Sequence, residues 1–218
     1  MKQELKKRLI TSIFLVGIIY LSLLFYFILS LFLFALFLLS FIEFKNLIRR
    51  FKITENIKFI FIFGCFLYLI IFFISLWFFI NSQHLIYKFY IIFIIIICIA
   101  TDMGGYIFGK IFKGRKLTKL SPNKTYSGVL GSYVFTILSS IIFMQLFSTN
   151  IFNLILISIY ISTISQLGDI FVSYLKRLAE IKDSGKVLPG HGGVLDRIDG
   201  FLFSYPLSFP IFLSVNIF

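Results

Sequence analysis

Charge is what this chain is short of. Lys, Arg, Asp and Glu make up 14% of its 218 residues, where a soluble domain carries about a quarter. With 59% hydrophobic residues beside that small polar share, an ordinary soluble globular domain is excluded and a polytopic membrane protein is indicated. Cysteine is nearly absent too. Cys65 and Cys98 both fall inside apolar stretches, where a thiol behaves as a small hydrophobe, so neither a disulfide nor a thiolate metal site is expected. Acidic residues number 9 against 21 basic ones, a formal net charge of +12. In a soluble chain that excess would suggest nucleic acid. In a membrane chain it reports orientation first, and no nucleic-acid partner is expected. No small-residue cleavage site follows the basic N-terminus MKQELKKRLITSIFLVG, which therefore reads as a retained first span.

No charged residue occurs between Leu9 and Ile42. One helix of that length would measure on the order of 50 Å against a ~30 Å hydrocarbon core, so the run is one steep helix or two short spans. Parity favours two: Lys45, Arg49, Arg50, Lys52 and Lys58 share a side with Lys2, Lys6, Lys7 and Arg8 only if the chain crosses twice. Further spans are expected at residues 59–80, 87–100, 129–147, 151–167 and 201–218. The expected fold is all-α, with about seven transmembrane helices and a cytoplasmic N-terminus. Every Lys and Arg except Lys88, and all 9 acidic residues, then face the cytoplasm. Two cytoplasmic loops, 101–128 and 168–200, carry most of the polar residues. They divide the chain into N-terminal spans, 1–100, and a catalytic membrane region, 101–218.

The first loop, TDMGGYIFGKIFKGRKLTKLSPNKTYSG, sets Gly104, Gly105, Gly109, Gly114 and Gly128 among basic residues and a single acid, Asp102. Glycine lets a backbone approach a ligand, and loop N–H groups with lysines can cradle a phosphate. A solvated connector lying on anionic lipid has the same composition. The second loop is denser. Asp169, Ser173, Lys176, Arg177 and Glu180 share one helical face continuing the preceding span, either as a site or as a stripe of weak surface ion pairs. The helical pattern stops at Lys182 and Asp183, and Pro189, Gly190, His191, Gly192 and Gly193 then form a loop able to wrap an anion. Asp196 and Asp199 follow, three apart, on one face if that segment is helical.

Carboxylates with no thiol and one imidazole suit Mg²⁺ or Mn²⁺ better than zinc. Aspartates, lysines and arginines around a glycine loop match phosphoryl or nucleotidyl transfer, in which a metal neutralises phosphate oxygens and cations hold the leaving group. A phosphate nucleophile, with a second pKa near ~6, is largely ionised at neutral pH and needs no general base. None is evident.

At these residues the chain resembles the phosphatidate cytidylyltransferase family, the CDP-diacylglycerol synthases. Their signature, approximately S-x-x-K-R-x4-K-D-x-G-x2-L-P-G-H-G-G-x2-D-R-x-D, is met by Ser173, Lys176, Arg177, Lys182, Asp183, Gly185, Leu188, Pro189, Gly190, His191, Gly192, Gly193, Asp196, Arg197 and Asp199. Asp102, Tyr106, Gly109 and Lys110 fit an earlier element of that family, and Ser121, Pro122, Lys124, Thr125 and Gly128 another, with Ser127 where many members carry Glu. The resemblance covers roughly residues 95–210. It implies a Mg²⁺-dependent enzyme, with Mn²⁺ as a substitute and room for a second, monovalent cation. The implied reaction turns CTP and phosphatidate into CDP-diacylglycerol and pyrophosphate at the cytoplasmic face of a bacterial inner membrane, and a homodimer is compatible with it. The implied catalytic residues are Lys176, Arg177, Lys182, Asp183, His191, Asp196 and Arg197. Substrate contacts fall to Ser121, Lys124, Thr125, Ser173, Pro189, Gly190, Gly192 and Gly193, and metal ligation to Asp169, Asp183, Asp196 and Asp199. A transporter is disfavoured because no acidic residue lies within a span away from its ends. The D-G-x2-A-R-x8-G-x3-D-x3-D order of the CDP-alcohol phosphotransferases is missing.

Overall fold

The computed structural model describes residues 2–117, 121, 124–144, 150–189 and 192–214. Seven helices hold most of them: α1 (Lys2–Leu24), α2 (Tyr26–Arg49), α3 (Glu55–Asn81), α4 (Leu85–Phe112), α5 (Tyr126–Met144), α6 (Ile151–Leu178) and α7 (Leu195–Ser214). Among the described residues the only extended pairings are two isolated bridges, Lys116 with Thr125 and Leu188 with Gly192. The chain is an all-helical integral membrane protein. Five of its helices, α2 to α6, are long and apolar enough to cross a membrane, and α1 adds the shorter apolar piece Thr11–Ser22.

The uncharged run from Leu9 is divided at Phe25, whose extended backbone (φ −128°, ψ 113°) separates α1 from α2. Two helices, not one of some 50 Å, are thus what forms there. The larger departure from expectation is at the loops. Helix α4 does not stop at residue 100 but continues to Phe112, whereas α6 runs on to Leu178 as its polar helical face implied. A helix ends where its backbone conformation is broken, not where the membrane ends, and in α4 the break is Lys113 and Gly114, at φ 50° and 104°. The connection after α4 therefore shrinks from 101–128 to 113–125, and Asp102, Tyr106, Gly109 and Lys110 are helical residues.

The chain forms two compact units, one of residues 1–83 with 175–198 and one of residues 84–174 with 199–218. In the first, α2 meets α3 through aromatic packing centred on Phe37, with the rings of Phe34, Phe41, Phe66 and Phe73 at 6.0–6.5 Å. The same unit holds the segment 179–194 between α6 and α7, in which Leu188 and Gly192 exchange both backbone hydrogen bonds at 3.0 and 3.1 Å.

In the second unit, α4 and α5 approach until backbones touch. A Cβ on Gly104 would lie 2.8 Å from the Gly131 carbonyl carbon and 2.9 Å from Phe135 Cβ, and one on Gly128 would lie 2.9 Å from the Gly105 carbonyl oxygen. These glycines serve helix packing, because small residues are what let membrane helices close up. Small hydroxyls seal the same seam. Thr101 Oγ1 donates to Ile97 O at 2.8 Å and lies 2.8 Å from Ser162 Oγ, and the buried Ser132 donates to Thr101 O at 2.7 Å. Ser127 donates to Lys113 O and closes the turn into α5.

A side chain at Gly131 would collide with Phe108 and the Gly104 carbonyl. Gly131→Ala is therefore expected to lower stability by about 1–3 kcal/mol, and an unchanged melting temperature in detergent would remove the packing account.

Candidate active site

In the first unit the signature stretch folds around Asp196. Helix α6 supplies Lys176, whose Nζ donates to Asp196 Oδ1 at 2.7 Å, with the two side chains only 12% and 10% exposed. The loop supplies the Ser184 N–H at 2.9 Å and the Gly193 N–H at 3.1 Å, both to Asp196 Oδ2, with Ser184 Oγ at 3.1 Å from the same oxygen. Burial pushes the Asp196 carboxyl up, but its hydrogen bonds to Lys176 and Ser184, the Lys176 charge and the Gly193 N–H outweigh burial and hold it below the usual aspartate range. The stability these contacts provide is present above that usual range and is lost as pH falls through the lowered value. Asp183 converges on the same place: a Cβ on Gly192 would lie 3.2 Å from Asp196 Oδ2 and 3.7 Å from Asp183 Cβ. Gly192 has φ 85°, which favours glycine whatever the space.

Next to this network, still in the first unit, is a cavity of about 730 Å³ lined by Arg49 and Arg50 at the end of α2 and by Lys182, Asp183, Ser184 and Lys186 of the loop. Four cations face it with one carboxylate, and among the described residues none of the four is paired with an acid. Such a space suits a ligand carrying several negative charges.

The second unit has a smaller cavity, about 270 Å³, walled by α4, α5 and α6. Asp102 and Tyr106 of α4, Ser121, Lys124 and Thr125 of the loop, and Asp169 of α6 line it. Lys124 Nζ sits 2.5 Å from Asp169 Oδ2 and donates to Gln166 O at 3.4 Å. The loop that carries Lys124 is held in place by a bridge, Leu117 N–H to Lys124 O at 2.8 Å and Tyr126 N–H to Arg115 O at 3.2 Å. Ser173 lies one turn along α6, its hydroxyl 3.4 Å from Asp169 Oδ1. The Asp199 backbone of α7 comes close to Gly168, beside Asp169.

The expected site residues thus form two groups. Lys176, Lys182, Asp183, Gly192, Gly193 and Asp196 belong to the first unit, and Ser121, Lys124, Thr125, Asp169, Ser173 and Asp199 to the second. Arg177 caps the end of α6, donating to Ile181 O at 3.3 Å, and Arg197 is exposed. Pro189 accepts a hydrogen bond from Thr11 at 3.0 Å, while Gly190, His191 and Pro122 lie outside the described residues. Glu180 lies past the end of α6, at φ 57°, so it does not share that helix's face, and it pairs with Lys52 at 2.6 Å.

Three residues escaped the sequence reading. Arg49 and Arg50 were legible only as markers of orientation. Glu43, whose Oε2 lies 2.7 Å from Ser184 Oγ, carried one signal, a carboxylate closing an apolar span.

The donor set fits a hard cation in kind. Mg²⁺ is usually held by one or two carboxylates completed by substrate phosphates and water, not by an all-protein cage. Asp102 and Asp169 lining one cavity, and Asp183 and Asp196 flanking Gly192, are such pairs. Among the described residues no group of three His, Cys, Asp or Glu side chains converges at metal-binding distance.

Residues 58–215 match the model of a family described as the cytidylyltransferase family. Similar curated proteins include the phosphatidate cytidylyltransferases of Staphylococcus haemolyticus (43% identical over 121 residues, 54% of this chain and 46% of that protein) and Bacillus subtilis (43% over 120 residues, 54% and 45%). That of Helicobacter pylori is 43% identical over 114 residues, 52% of this chain and 43% of that protein. The chain spans about half the length of the curated relatives it matches.

Lys176 and Asp196 are nearly enclosed, so removing either leaves its partner uncompensated. Lys176→Met and Asp196→Asn are each expected to cost about 1–3 kcal/mol, and the double variant clearly less than the two together. Additive losses, within about 0.5 kcal/mol, would show that the pair does not act as a unit.

Proposed function

We propose that this chain, which belongs to the cytidylyltransferase family, transfers the cytidylyl group of CTP to phosphatidate, giving CDP-diacylglycerol and pyrophosphate. The observation that carries this reading is the cavity beside the signature loop, where Arg49, Arg50, Lys182 and Lys186 face one carboxylate, Asp183. That charge balance favours a polyphosphate over a neutral or cationic ligand.

An ionised oxygen of the lipid phosphate attacks the α-phosphorus of CTP. One P–O bond forms, the bond to the β-phosphate oxygen breaks, and its electron pair leaves with pyrophosphate. A phosphate monoester with a second pKa near ~6 needs no base to expose that oxygen. We assign Lys182 and Lys186, with Arg49 and Arg50, to the charge that builds on the leaving pyrophosphate. Following the resemblance, Pro189, Gly190, His191, Gly192 and Gly193 are our choice to border the triphosphate, and Arg177 and Arg197, both exposed, to contact phosphates. Lys124, with Ser121 and Thr125, receives a phosphate in the second unit's cavity. The aspartates are our choice as Mg²⁺ ligands, Asp196 with Asp183 in the first unit and Asp169 with Asp199 in the second, and Mn²⁺ or an added monovalent cation as variants. Bound there, the metal would neutralise phosphate oxygens. We further assign the reaction to the cytoplasmic face of a bacterial inner membrane, with residues 101–218 carrying most of the catalytic groups and Arg49 and Arg50 joining them from α2.

Purified full-length chain given phosphatidate, radiolabelled CTP and Mg²⁺ is expected to form a labelled lipid, and chelator is expected to abolish it. No labelled lipid under any of these conditions ends the reading, and label that survives chelation ends the metal assignment. Asp196→Asn should lower kcat by roughly 10²-fold or more; turnover at the parent rate removes Asp196 from the site. Because Lys124 and Lys182 line different cavities, Lys124→Ala and Lys182→Ala are expected to raise KM for different substrates, and the same KM rising in both would contradict separate roles.

A further inference from the structure

Glu43 is the only charged residue buried among the described residues, 3% exposed, near the end of α2. Its Oε1 accepts the Val194 N–H at 3.0 Å, and its Oε2 accepts the Leu195 N–H at 2.9 Å and the Ser184 hydroxyl at 2.7 Å. Leu195 is the first residue of α7. First-turn N–H groups have no acceptor within their own helix, and the side chain just before the helix normally supplies one. Here that residue is Val194, which has no acceptor. Glu43, 151 positions away, takes its place, and its charge is favoured at a helix N-terminus.

The glycines of the signature carry the same message. A Cβ on Gly185 would run into the Glu43 carboxylate, its Cδ at 2.8 Å, and one on Gly193 would run into Glu43 and Ser184 together. Ser184, Val194 and Leu195 gather around an anion, and that anion is the chain's own Glu43. Ser184 carries the effect onward. Its single hydroxyl proton serves Glu43, while its N–H holds Asp196 Oδ2 at 2.9 Å. The Gly193 N–H, next to the pair that Glu43 binds, holds the same Asp196 oxygen at 3.1 Å.

We propose that Glu43 is a positioning residue for Asp196, fixing Ser184 and residues 193–195 so that their N–H groups hold the Asp196 carboxylate in its working orientation. With its oxygens occupied and buried, Glu43 itself does not reach substrate or metal. It lies outside the residues 58–215 that match the family model. Its catalytic consequence rests on the cytidylyltransferase reading, whereas its structural part does not.

The test uses full-length protein in detergent and the variants Glu43→Gln, Glu43→Asp and Gly185→Ala. Glu43→Gln keeps the shape but turns one acceptor into a donor. It is expected to lower kcat by about 10–100-fold with a much smaller change in the KM of CTP. Amide exchange should rise in the peptide covering residues 184–196 and stay unchanged in α3 to α5, and Glu43→Asp, which keeps the charge, should recover part of the loss. Gly185→Ala should be damaging alone but add little to Glu43→Ala, where the clashing carboxylate is gone. Parent-like kcat and exchange in Glu43→Gln would overturn the proposal. So would a loss explained wholly by a lower melting temperature, with exchange rising evenly over every helix and kcat per folded molecule unchanged. A parent protein that makes no labelled lipid would defeat the reaction assignment instead, and the exchange comparison would still decide whether Glu43 orders the loop.

Discussion

Two carboxylates with one serine between them hold the signature stretch together. Among the described residues of 179–194 the only ladder is the Leu188–Gly192 bridge, so the other backbone N–H groups need acceptors from elsewhere, and burying them unpaired would be costly. Asp196 accepts from Ser184 and Gly193, and Glu43 accepts from Val194, Leu195 and the Ser184 hydroxyl. Lys176 supplies the positive charge that lets two anions sit so close to one another. Gly192, at φ 85°, lies against this network, where a Cβ would come 3.2 Å from Asp196 Oδ2.

The second unit solves a different problem. Lipid offers no hydrophobic drive for one apolar helix to pack on another, so α4 and α5 are joined by close backbone contact and small hydroxyls. Gly104, Gly128, Gly131, Thr101 and Ser132 carry that contact. The packing brings Asp102 and Asp169 to the wall of one cavity and sets Lys124 at 2.5 Å from Asp169.

The helices were largely legible because apolar runs in a chain this poor in charge have few alternatives. Their ends were not. Asp102 to Phe112 looked like loop because it carried glycines and charge, yet no residue there breaks a helix before Lys113 and Gly114. The same glycines suggested phosphate binding, whereas Gly104 and Gly131 face each other across a helix seam. A glycine announces close approach but not what approaches. That ambiguity recurs at Gly185 and Gly193, where the neighbour is Glu43, more than a hundred residues earlier in the chain.

The sequence by itself determined the class of protein, the helices and the family, because composition and a dense run of polar types need no knowledge of partners. Residues of the signature are close in sequence, and their spacing alone identifies them. Only the tertiary structure decided that Asp196 pairs with Lys176, that Lys124 pairs with Asp169, and that Glu43 caps α7 in place of Val194. The physical reason is that a buried charge or N–H group must be satisfied by whatever lies nearest in space, and a linear pattern does not record distance in space.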